Sequence, residues 1–139
     1  MGSEEELVKE VGSKYAKLNE LWGKAEESLK KFLVPHEVEY RYTSFVDESD
    51  KYHVQNNIQT HRCLSWAKHS GNWRLCYTVY SDGSDERYVK PVAECAVDIR
   101  LKLVVYFPVL RCRVVAASRS TIISIHKAVE ELSGYLEDA

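Results

Sequence analysis

The sequence lacks any run of about 18 uncharged apolar residues, so no transmembrane helix is predicted. It begins MGSEEE, acidic where a secretory signal is basic and then apolar. Glu6 stands where a myristoylation signal needs Ser or Thr. These absences predict a soluble, cytoplasmic chain with no membrane partner. No Cys-x-x-Cys pair occurs among Cys63, Cys76, Cys95 and Cys112, which excludes the local spacing of a zinc knuckle or a thioredoxin-type motif. Four cysteines in 139 residues are also too few for a disulfide scaffold, so reduced, partly buried thiols are predicted. Both G-x-G-x-x-G and G-x-x-x-x-G-K-[ST] are missing, so no phosphate-cradling loop is indicated. No carboxylate pair stands isolated in an apolar setting that would raise a pKa.

Charge of one sign is missing locally. No carboxylate lies between Ile99 and Val129, while Arg100, Lys102, Arg111, Arg113, Arg119 and Lys127 do. Residues 1–50 carry 7 basic and 12 acidic side chains, residues 51–129 carry 12 and 5, and residues 130–139 carry 0 and 4, which together give the net −2. Two explanations compete: acidic and basic elements packing on each other, or an anionic partner. The first is favoured, because a net charge near zero gives little long-range pull on nucleic acid.

What is present reads as one α+β domain over residues 1–139, with no internal repeat. Ser3 followed by Glu6 is a capping-box pattern opening a helix from about Glu4 to Leu33, with Pro35 as its stop. Leu7, Val11, Tyr15, Leu18, Trp22, Ala25, Leu29 and Phe32 recur in steps of three and four, an apolar stripe close to the coiled-coil period. After Pro35 the period becomes two. Val38, Tyr40 and Tyr42 share one side of a strand, with Glu37, Glu39, Arg41 and Thr43 on the other. DESDKYHVQNN is predicted as a polar connection.

Ser70-Gly71 divides two alternating runs, a hairpin signal. That turn sets Trp66 against Leu75, Leu64 against Tyr77 and Lys68 against Trp73. Leu64, Trp66, Trp73, Leu75, Tyr77 and Val79 then form a core face. His61, Cys63, Ser65, Ala67, Arg74, Cys76, Thr78 and Tyr80 form a polar exterior face. The stretch CAVDIRLKLVVYFPVLRC, from Cys95 to Cys112, is ambiguous. Its β-branched content suits a strand, yet Cys95, Ala96, Ile99, Leu103, Tyr106, Phe107, Leu110, Val114 and Ala117 fall in one helical arc about 120° wide. Pro91 suits a first helical position, and acids precede bases as the helix dipole prefers. Pro108 argues for a kink. Ser120 to Leu136 is helical, with a stripe of Ile125, Ala128 or Val129, Leu132 and Leu136. The predicted architecture is a long N-terminal helix, a three-stranded antiparallel meander, then one long kinked or two consecutive helices packing on the first. The alternative makes residues 95–116 additional strands.

The residues support several chemistries unequally. His36, His53, His61, His69 and His126 are scattered, and His61-x-Cys63 is the one close His/Cys pair, so neither metal nor cofactor is predicted. A nucleophile from Cys63 or Ser65 beside His61 lacks an evident carboxylate to orient the ring and a Gly-rich oxyanion loop. No catalytic residue is therefore assigned, and the enzyme reading, on the sheet face around His61 and Cys63, ranks third. It requires a Cys63 thiol of depressed pKa. Second is an anion site, for nucleic acid or a small anion, using Arg74, Arg100, Arg111 and Arg113. First is protein–protein association, simplest as a homodimer, because the long stripe exceeds what a small sheet covers. Leu7, Val11, Tyr15, Leu18, Trp22 and Leu29 are its interface candidates.

Overall fold

The computed structural model describes residues 3–137. Met1 and Gly2, on which the signal and myristoylation readings bear, lie outside the described residues. The chain forms α1 (Glu4–Leu29), β1 (Val38–Val46), α2 (Lys51–Asn56), β2 (Gln59–His69), β3 (Asn72–Ser81), β4 (Arg87–Pro91), α3 (Val97–Leu103) and α4 (Phe107–Glu137). The four strands pair antiparallel in the order β1-β2-β3-β4. This is the predicted α+β class, with a long helix at each end of an antiparallel sheet.

Local sequence explains most boundaries. The Glu6 amide donates to Ser3 Oγ at 3.2 Å, satisfying one of the open N–H groups at the start of α1. That helix stops at Leu29, four residues before the predicted end, and Phe32 N–H closes a turn onto Leu29 O. The supposed polar connection holds α2, because the Asp50 carboxylate accepts from the Tyr52 and His53 amides as an N-cap. At the β2–β3 turn both Ser70 (φ 52) and Gly71 (φ 84) have positive φ, as the type I′ two-residue hairpin turn requires. The register is the predicted one: Trp66 opposite Leu75, Leu64 opposite Tyr77, Lys68 opposite Trp73.

Two expectations fail in detail. The meander has a fourth strand, β4, whose Lys90 and Pro91 pair with Tyr77 and Cys76. Pro91 therefore ends a strand instead of opening a helix, and α3 starts only at Val97. An edge strand tolerates the missing proline N–H. The ambiguous stretch is helical, which excludes the additional strands. It divides into α3, a 3₁₀ turn at Val104–Tyr106, and α4. Pro108 falls in the first turn of α4, where no intrahelical N–H bond is lost. The tight turn before it separates two consecutive helices. The helix is unbroken past Ser118, where Thr121 folds its hydroxyl back onto Ala117 O at 2.8 Å, and it runs on to Glu137.

The core lies between one sheet face and the helices. Leu64, Trp66, Leu75, Tyr77 and Val38 from the sheet meet Trp22 and Leu29 of α1, Leu103 of α3, and Leu110 and Val114 of α4. Trp66 stacks on Trp73, and Tyr42 stacks on Tyr106 with centroids 4.6 Å apart. Arg113 pins α4 to β1 by donating to Glu39 O at 2.9 Å.

Candidate functional site

Two regions stand out, and the first is the pair of terminal helices. They meet where Trp22 lies edge-on to Phe107, centroids 6.3 Å apart. From that crossing α4 passes Phe32, which Arg111 overlies, and then Pro35, which shares a cavity with Ser120, Thr121, Ser124, Ile125 and Ala128. It thus runs toward the C-terminal end of α1. The N-terminal half of α1 lies on the other side of the crossing, beside α3, where Arg100 donates to Asn19. The two outer halves emerge at opposite ends and do not cover each other.

The apolar stripe of α1 is divided by this geometry. Trp22 and Leu29 belong to the core, 6% and 0% exposed, and Leu18 packs at its margin. Leu7, Val11 and Tyr15 continue the same stripe into solvent. On α4, Leu110, Val114 and Ser118 are buried against the sheet. The same face continues outward as Ile122, Ile125, Val129, Leu132 and Leu136, all exposed, with Leu132 at 58%. Steps of three, four, three and four separate these five, the spacing of a coiled-coil seam. Beside the crossing, Leu18, Leu21, Trp22, Ala25, Val104 and Phe107 line an apolar groove of about 190 Å³.

The second region is the sheet face away from the helices. It is not the exterior face the alternation predicts. His61, Cys63, Ser65, Ala67, Cys76 and Thr78 are all buried. Small side chains form its floor, and long ones from the flanking strands close over them. Tyr80 donates to Glu39 and accepts from Arg41, both at 2.8 Å, while Arg87 reaches Glu37 and Glu39 and overlies the Tyr80 ring. Burial, reinforced by the Glu39 carboxylate, pushes the Cys63 thiol up to about 11. Burial likewise pushes Cys76 to about 12. The Cys63 shift is opposite in direction to the depressed thiol that the enzyme reading required.

At one end of this face the structure assembles a chain that the sequence did not reveal. His61 Nδ1 lies 2.8 Å from Ser44 Oγ, and His61 Nε2 lies 2.7 Å from Asp82 Oδ1. The carboxylate absent from the sequence reading is Asp82, at the start of the SDGSDE loop, where its amide donates to Gln59 O. Ser44 reaches this face through a β-bulge. Strand β1 pairs in step with β2 up to Arg41, then slips at Tyr42 and resumes with Thr43 opposite Arg62 and Ser44 opposite His61. Strict alternation would have turned Ser44 toward the helices. No sequence signal marked that bulge.

The four candidate arginines have unrelated partners. Arg74 pairs with Glu26 of α1 at 2.7 Å, Arg100 with Asn19, Arg111 with the Phe32 ring, and Arg113 with Glu39 O and the Tyr40 ring. Glu26 and Glu37 and Glu39 from the acidic first part of the chain meet Arg74 and Arg87 from the basic middle. Internal complementarity therefore accounts for those two arginines. Among the described residues no helix is long and apolar enough to cross a membrane, and no group of three or more His, Cys, Asp or Glu is placed to hold a metal ion. Comparison with protein-family models, with curated proteins and with solved structures finds no match to this chain.

Proposed function

We propose that the chain is a protein-interaction module that associates with a second copy of itself through the outer half of α4, in the cytoplasm. One observation carries this reading: the face of α4 that packs on the sheet continues unbroken for about 20 residues beyond it, at roughly 1.5 Å each, with its apolar residues exposed. Five such side chains leave several hundred Å² of contiguous apolar surface on one helix face, a patch of the size that often marks a contact site. A free helix of that length is marginal in water by itself and gains its stability from packing. The seam spacing fits another helix, and a second copy brings an identical seam, the arrangement of a twofold interface. The outer half of α1 lies on the other side of the Trp22–Phe107 crossing, beside α3. Four free cysteines are in keeping with a reducing compartment.

Sedimentation equilibrium tests the proposal. Twice 16.0 kDa is expected. Leu132→Asp, which sets a carboxylate in the seam, is expected to weaken association by about 100-fold or more. A single 16.0 kDa species at about 100 µM, where even 5–6 kcal/mol would register, overturns self-association and leaves the seam to a helix of another protein.

A further inference from the structure

We propose that Ser44, His61 and Asp82 form a nucleophile–base–carboxylate relay that accepts a small acyl group from an activated ester. The inference is independent of the helix seam and rests on three features. The two contacts are at hydrogen-bond distance and share one imidazole, so the ring is oriented from both sides. His61 is 3% exposed near one end of the inner strand β2, whereas Ser44 is exposed on the edge strand β1, so the hydroxyl is reachable and its base is shielded from solvent. The bulge at Tyr42 is what places Ser44 opposite His61, and bulges of this kind re-aim side chains next to active sites.

The chemistry follows from the tautomer. With Nε2–H donating to Asp82, Nδ1 carries the free lone pair and accepts the Ser44 hydroxyl proton. Ser44 Oγ then attacks the ester carbonyl carbon. The bond from that carbon to the alcohol oxygen breaks, and His61 returns the proton to the departing alcohol. Water, deprotonated by the same nitrogen, then attacks the acyl carbon; the bond from that carbon to Ser44 Oγ breaks, His61 returns the proton to that oxygen, and the carboxylic acid leaves. The two ring nitrogens have exchanged the roles usual in serine hydrolases, but the relay depends on roles and geometry. The site is open, so it suits a small acyl donor already activated by a good leaving group. Ser44 and His61 are the catalytic residues. Asp82, 58% exposed, is a positioning residue.

The test uses the full chain with p-nitrophenyl acetate, following nitrophenolate release and locating acetyl groups by peptide mass spectrometry. Acetylation of Ser44 is expected, with its rate reduced about 100-fold in His61→Gln. Because His61 is buried, that variant risks unfolding. Asp82→Asn, at an exposed position, is the second arm. It is expected to retain the native circular dichroism, to acetylate Ser44 at least tenfold more slowly, and to lose the Nε2–H tautomer in the imidazole ¹⁵N spectrum. Acetyl groups on lysines alone, or a Ser44 rate unchanged in Asp82→Asn, overturns the proposal.

Discussion

Leu29 and Leu7 occupy the same stripe of one helix, yet their truncation is expected to have opposite consequences. Leu29 is wholly buried against the sheet and α4, whereas Leu7 is 60% exposed. Leu29→Ala removes buried methyl groups and leaves a cavity, a loss of about 2–5 kcal/mol. At a urea slope of about 2 kcal/mol per molar, the unfolding midpoint falls by roughly 1–2.5 M. Leu7→Ala removes side-chain atoms already largely in water and improves helix propensity, so its effect stays within about 0.5 kcal/mol. Both are measured by urea unfolding at low protein concentration in a Leu132→Asp background, which separates folding from association. Equal midpoint shifts for the two variants would falsify the division of the stripe into a core half and a free half. A Leu29→Ala loss below 0.5 kcal/mol refutes the packing of α1 altogether.

Two further outcomes follow from polar groups. Glu26 accepts from Arg74 at 2.7 Å and from the Leu75 amide at 3.4 Å, so Glu26→Ala leaves both without a carboxylate and is expected to cost roughly 1–3 kcal/mol in urea melts. An Arg74→Ala double-mutant cycle showing no coupling refutes that role. The Cys63 thiol rises in the folded chain from 9.0 to about 11, so the unfolded chain ionises first as pH increases. Its contribution is intact below pH 9 and is lost between 9 and 11, at about 1.4 kcal/mol per unit. Cys63→Ala is therefore expected to flatten the alkaline fall in stability, and an unchanged fall between pH 8 and 11 counts against burial as the cause.

The failures of local inference have one origin. Alternation correctly set Leu64, Trp66, Leu75 and Tyr77 on the core face, because a strand's side chains must alternate. It mistook the opposite face for solvent. Small residues such as Cys63, Ser65 and Thr78 sit low on the sheet, and Tyr80, Arg41 and Arg87 from the flanking rows close over them. The helical reading of residues 95–116 held because Leu103, Leu110 and Val114 share one arc. Pro91 misled because a proline that suits a helix start also suits the end of an edge strand.

Turn chemistry and periodicity act between near neighbours, so the sequence by itself determined the capped first helix, the Ser70-Gly71 hairpin with its register, and the apolar stripe of the last helix. Three features depend on contacts between distant segments, and only the tertiary structure decided them. Trp22 and Leu29 became core while Leu7 and Val11 did not, because the sheet is shorter than the stripe. Arg74 found Glu26 across 48 residues of chain. Ser44, His61 and Asp82 came together because a bulge shifts one strand by a residue and a loop returns a carboxylate to the other side of the ring. Neither event leaves a local pattern, since each is fixed by strand pairing and not by the preferences of the residues involved.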